Sequence, residues 1–253
     1  MLLYALLGTG MTFLATAFGA AMVFLFKEEI GANTQRVFLG FAAGVMIAAS
    51  VWSLLIPSIE MSESVLPTVI GFALGCVFLM SLDRIIPHLH VGESKPEGMK
   101  SSFRRTTMLI LAVTLHNIPE GMAVGLAFAM AGEKGMPIAG AVALTVGMCL
   151  QNIPEGAAVA LPLRREGLSK FQAFVGGSLS GFVEPVAALV GVLLAQNMIG
   201  IMPYALSFSA GAMMYVVVEE LIPEAHLGEH SHTGTASVLF GFVLMMVLDV
   251  VLG

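Results

Sequence analysis

Eight apolar runs, each about as long as a helix needs to cross a bilayer, constrain this chain more than any other feature of it. They cover about 2–26, 36–58, 65–86, 105–131, 136–163, 169–196, 201–224 and 234–252. The hydrocarbon core of a membrane is spanned by about 20 helical residues. Composition agrees: the 253 residues are 57% hydrophobic and 11% charged, where a soluble domain carries about 25% charged residues. Such a chain cannot cover its apolar surface in water. The expected fold class is an all-α integral membrane protein with eight transmembrane helices, forming one transmembrane domain over 1–253 with the lipid bilayer as its solvent. The glycines and prolines scattered through the runs suit helices that pack closely and sometimes break.

The cations give the orientation. With the N-terminus outside, the inside connections hold Lys27, Arg36, Arg84, Lys95, Lys100, Arg104, Arg105, Arg164, Arg165 and Lys170, and the outside ones hold Lys134 alone. Positive residues gather on the cytoplasmic side of membrane proteins. Both termini are therefore expected outside, and the polar connection 87–104 is expected to be a mobile cytoplasmic loop. Cys76 and Cys149 lie within apolar runs and lack the CxxC spacing of a thiolate metal site, so they read as small core residues.

An internal repeat is visible. "FAAGVMIAASVWSLLIP" at Phe41 resembles "FSAGAMMYVVVEELIP" at Phe208, and Gly75, Met80, Leu82 and Asp83 align with Gly241, Met246, Leu248 and Asp249. On the derived topology runs 1–3 and 6–8 cross in opposite senses. Runs 4 and 5 carry a shared motif, "HNIPEG" at His116 and "QNIPEG" at Gln151. The expected arrangement is a 3+2+3 inverted repeat, a pattern found in secondary transporters with sites near the midplane.

The paired motif carries chemistry. His116 and Glu120 are four residues apart and share a helix face. Pro119 and Pro154 cannot donate to the carbonyls of Leu115 and Leu150, which frees a backbone oxygen beside each polar cluster. Run 6 adds Glu184, also beside a proline. An ionised acid at mid-membrane costs roughly 2.5–3.5 kcal/mol on insertion scales, and no Lys or Arg lies at the same depth to offset it. Protonation or a bound cation must compensate. Imidazole, carboxylate and amide groups suit a divalent first-row metal, zinc above all. Met46 in run 2 adds a soft thioether, favouring zinc or cadmium over magnesium or calcium.

These residues resemble the ZIP (Zrt/Irt-like) family of divalent metal transporters, in particular its shorter bacterial-type members. The likeness rests on HNxPEG in run 4, xNxPEG in run 5, the eight runs and the outside termini, and it covers essentially the whole chain. It implies uptake of Zn²⁺, and often Fe²⁺, Mn²⁺, Co²⁺ or Cd²⁺, into the cytoplasm across the cell (plasma or inner) membrane. The metal is cargo; no cofactor and no nucleic acid is implied. The resemblance also implies a homodimer and a binuclear site. His116, Glu120 and Glu155 would bind the first metal, with Met46 and Gln151 nearby. Asn117, Asn152, Glu184 and the shared Glu120 and Glu155 would form the second position. Many members have Asp where Asn152 stands, so the second position is expected to be the weaker one.

A path needs ends. Glu60 and Asp249 fall near the outer surface, and Asp83, Glu219 and Glu220 near the inner one; the resemblance supports them as entrance and exit. His88, His90, His226, His230 and His232 sit in cytoplasmic connections and are candidates for transient metal binding. The GxxxG pairs Gly40/Gly44, Gly71/Gly75, Gly121/Gly125 and Gly177/Gly181 are expected to let helices of this chain approach closely. No GxxxxGK[ST] loop is present to bind nucleotide. A selective divalent-cation channel and an intramembrane metalloenzyme are the alternative readings. The absence of HExxH, and the commitment of the acids to ligation, weigh against the enzyme.

Overall fold

The structure, a computed structural model, describes residues 1–25, 31–62, 64–87, 105–133, 138–197, 199–226 and 232–252, and no β-strand occurs among them. Helix α1 (Leu2–Ala20) is followed by a short α2 (Met22–Leu25). Helix α3 (Ala32–Ala49) runs through a π-helical turn, Ser50–Leu55, into α4 (Ile56–Ser62). Then come α5 (Val65–Ile85), α6 (Arg105–Glu133), α7 (Ile138–Arg165), α8 (Lys170–Gly181) and α9 (Val183–Asn197). Helix α10 (Met202–Val216) passes through a second π turn, Val217–Leu221, into α11 (Ile222–His226), and α12 (His232–Leu252) completes the order. Most of the loop 87–104 lies outside the described residues.

Among the described residues seven helical stretches are long and apolar enough to cross a membrane: Leu2–Leu25, Asn33–Ser62, Val65–Ile85, Thr106–Ala131, Lys170–Ala195, Met202–Ala225 and His232–Leu252. Their outward faces carry large apolar side chains, such as Leu25 (81% exposed) and Val251 (73%). The chain is thus a multi-pass integral membrane protein. The run expected at 136–163 is a helix, α7, of 28 residues, but it is not one of the seven. Gln151, Asn152, Pro154 and Glu155 lower its mean hydropathy, and Arg164 and Arg165 end it.

Three stretches expected as plain spans contain breaks, and each break has a proline cause. Pro185 cannot donate to the carbonyl of Gly181, and the helix stops at Phe182 before restarting as α9 with Glu184 in its first turn. A carboxylate there meets the positive end of the helix dipole. Pro57 and Pro223 each follow a π turn by two residues. Their rings crowd the carbonyls of Ser53 and Glu219, and widening the preceding turn relieves that crowding.

The most extensive helix pairings are α3 with α12, α5 with α10, α1 with α7, and α6 with α9. Without a hydrophobic force between helices in lipid, close backbone approach has to supply the packing. The expected GxxxG pairs do this within the chain. A Cβ at Gly75 would collide with the carbonyl oxygen of Phe208, and one at Gly241 with that of Phe41. The first contact joins α5 to α10 and the second joins α12 to α3. They occupy the positions that align in the internal repeat.

Candidate metal centre

The two NIPEG copies fold as the middle of two long helices. Each proline is accommodated without ending its helix: α6 continues through Pro119 and α7 through Pro154. Most of their polar side chains are buried, with His116 and Glu155 half-buried. Asn117, Gln151, Asn152, Glu120 and Glu184 are all at most 1% exposed. Glu155 lies beside Asn117 and within electrostatic reach of Glu120, Glu184 and Glu220. Glu120 lies beside Gln151. So α6, α7 and α9 bring together the acids and amides of the two motifs and run 6.

The hydrogen bonds divide this cluster in two. Around Asn152 and Glu184, donors and acceptors are matched. Gln151 Nε2 donates to Asn152 Oδ1 at 2.8 Å. Asn152 Nδ2 donates to Glu184 Oε1 at 2.8 Å and to the Thr12 carbonyl at 3.3 Å. The Thr12 hydroxyl donates to Glu184 Oε2. Around α6, Asn117 Nδ2 donates to the Ser180 carbonyl at 3.0 Å. Yet, among the described residues, Asn117 Oδ1, Glu120 Oε2 and Glu155 Oε1 are buried without a hydrogen-bond partner. Leaving a buried acceptor unpaired costs about 1–3 kcal/mol, and more for a charged group. Three oxygens in that condition within one cluster are what a cation would satisfy.

His116 is turned elsewhere. Its Nε2 lies 2.5 Å from Glu220 Oε1, across from α6 to the second π turn. Among the described residues no three His, Cys, Asp or Glu groups form a ready-made metal cage. The physical reasons are visible: Glu220 competes for the imidazole, and Thr12 and Asn152 occupy Glu184. Met46 is fully buried on α3 in the apolar cluster that also contains Leu126, Met148 and Met213.

The two acids expected at the entrance share a cavity. Glu60 and Asp249 line one cavity of about 210 Å³, with Trp52, Ser53, Pro57 and Met130 among its other walls. Ser53 donates to Asp249 Oδ1 at 2.7 Å, and Asp249 Oδ2 is unpartnered. The inner trio lies within electrostatic reach of Tyr215, but its members keep different partners. Asp83 accepts a 2.9 Å hydrogen bond from the Tyr215 hydroxyl, Glu219 is exposed, and Glu220 is buried against His116. His232 is exposed at the start of α12. His88, His90 and His230 lie outside the described residues, as does the side chain of His226.

Sequence reasoning missed Thr12, Ser53 and Tyr215. A signal for the first existed: Thr9, Thr12 and Thr16 are spaced by three and four on apolar α1, and all three are fully buried. For Tyr215 no spacing rule connects it to Asp83.

Comparison with known proteins finds relatives along nearly the whole chain. A family model described as ZIP zinc transporter matches residues 90–249. Human zinc transporter ZIP11 is 37% identical, covering 98% of this chain and 97% of its own length. Zinc transporter ZIPB of Bordetella bronchiseptica is 40% identical over 99% of this chain and 82% of its own. Zinc transporter GufA of Myxococcus xanthus is 37% identical over 94% of this chain and 95% of its own.

Proposed function

The chain belongs to the ZIP family, a family of transporters and not of enzymes, and from that premise we propose that it moves divalent metal, zinc foremost, toward the cytoplasm by alternating access. The observation that carries the reading is the trio of unpartnered buried oxygens on Asn117, Glu120 and Glu155. A divalent cation offsets both their lost hydrogen bonds and the cost of burying the acids. Zn²⁺ is the primary cargo because the site offers one imidazole nitrogen with carboxylates. Cd²⁺, Fe²⁺, Mn²⁺ and Co²⁺ fit the same donors less selectively. His116, Glu120, Gln151 and Glu155, with Met46 beside them, form the main position. Asn117, Asn152 and Glu184 adjoin it, where the resemblance leads us to expect a second, weaker position.

The working architecture is eight spans in a 3+2+3 inverted repeat. Two features support it. The π turns at Ser50–Leu55 and Val217–Leu221 fall at matching places. The leading helix pairs also come as two related couples, α3 with α12 and α5 with α10, then α1 with α7 and α6 with α9. The second couple, joined by α8, is the unit that carries the metal; the first is the frame.

Metal enters through the cavity at Glu60, Ser53 and Asp249 and leaves past Glu220, Glu219 and Asp83. The His116–Glu220 contact lies on the boundary between unit and frame. Metal binding at His116 must displace Glu220, and metal release returns the imidazole to it. This exchange couples occupancy to the position of the moving unit, as differential binding requires.

The test is zinc flux into sealed proteoliposomes, comparing the wild type with His116→Ala and Glu155→Ala. Saturable flux at micromolar zinc that both substitutions abolish is expected. Normal flux in both would remove the site from the path.

A further inference from the structure

A buried carboxylate can serve as a metal ligand or as a strut between helices, and its hydrogen bonds tell the two apart. Glu184 makes bonds on both oxygens. Oε1 accepts from Asn152 on α7, and Oε2 accepts from the Thr12 hydroxyl on α1. Asn152 also donates to the Thr12 carbonyl, so the three residues close a ring. Its members come from α1, α7 and α9, and each is fully buried. The remaining polar atom of Asn152, Oδ1, is taken by Gln151. Every side-chain atom with which Asn152 or Glu184 could grip a second metal already has a donor or acceptor partner inside the protein. The contrast with the unpartnered oxygens of Asn117, Glu120 and Glu155 is direct.

We propose that Thr12 is a positioning residue which, with Asn152, locks Glu184 into a strut in place of a second metal ion, so that this chain carries one metal per cycle. The inference deepens the metal-transport reading and rests on it. The chemistry is self-consistent. An acidic residue at position 152 would repel Glu184 and call for a cation between them, whereas an amide bridges to it with its own N–H. The hydroxyl of Thr12 then satisfies the oxygen the amide cannot reach. Because α1, α7 and α9 all belong to the moving unit, the ring need not break during transport. The His116–Glu220 contact, which crosses to the frame, must.

The experiment counts and titrates zinc on the purified full-length protein, by elemental analysis and calorimetry. The wild type is expected to hold one zinc per chain at saturation. Asn152→Asp removes the amide donor and adds a ligand, and it should admit a second, weaker zinc. Adding Thr12→Val frees Glu184 Oε2 and should tighten that second zinc about tenfold, the scale of one hydrogen bond to a charged group. Adding Thr12→Ser instead keeps the hydroxyl and should leave the second zinc as weak as in Asn152→Asp alone. A tightening on loss of a buried group is not the signature of damaged packing. Two zinc ions on the wild type, no second zinc on Asn152→Asp, or equal effects of Val and Ser would each overturn the strut. The failures are separable: a wild type that binds no zinc sinks the transport reading, while one that binds two sinks only the strut.

Discussion

The two NIPEG copies differ by a single residue type in the motif, His116 against Gln151, yet their surroundings diverge much further. On α7 the amides are spent inside the protein: Gln151 bonds Asn152, and Asn152 bonds Glu184. On α6 the imidazole reaches across to Glu220, and oxygens of Asn117 and Glu120 stay unpartnered. On the proposed reading the duplicated motif divides the labour. The His116 copy keeps oxygens of Asn117 and Glu120 available. The Gln151 copy uses Asn152 to tie α7 to α1 and α9, while its Glu155 joins the proposed centre.

Substitutions can break that asymmetry. The largest expected effect is on zinc flux: His116→Ala should lower it by roughly 100-fold or more, since even outer-shell partners of a metal cost 10–100-fold, and Gln151→Ala by only about tenfold. Equal losses in the proteoliposome assay would make the two copies equivalent after all.

Packing should be symmetric where ligation is not. Gly121 meets the backbone of Glu184, and Gly156 that of Thr16. Val at either position should destabilise the protein similarly, by at least the ~1–3 kcal/mol of overpacking. Thermal unfolding in detergent checks this, and a strong difference between the two would locate the rigid seam on one side only. Glu220→Gln sharpens the α6 side. Removing the carboxylate that competes for His116 should raise zinc affinity about tenfold, from the loss of one charge-assisted hydrogen bond. Unchanged affinity by calorimetry would show that the His116–Glu220 contact does not oppose binding. The smallest effect is at the outer cavity. Ser53→Ala should slow initial zinc uptake by about two- to threefold, the scale of one modest hydrogen bond to Asp249, without altering affinity at the central site.

Much of this was legible in the sequence because it is encoded within single helices. Run length marked seven of the eight expected membrane helices, and four-residue spacing put His116 and Glu120 on one face. What crosses between helices was less legible. Nothing in spacing joins Thr12 to Glu184, or His116 to Glu220 about a hundred residues later; those contacts follow from how α1 packs on α9, and α6 on the second π turn. The prolines were visible, but their different outcomes were not. Pro119 and Pro154 leave their helices continuous, Pro57 and Pro223 follow widened turns, and Pro185 follows a break. The neighbours that re-satisfy the freed backbone decide among these. Asn152 was read from the sequence as a weaker ligand, and the structure gives it hydrogen bonds that a charge argument alone does not contain.

The division between the copies is tested most directly by zinc X-ray absorption on the loaded full-length protein. The account predicts a spectrum with imidazole back-scattering that disappears in His116→Ala and is unchanged in Asn152→Ala. Identical spectra for wild type and His116→Ala, or a spectrum altered by Asn152→Ala as much as by His116→Ala, would contradict it.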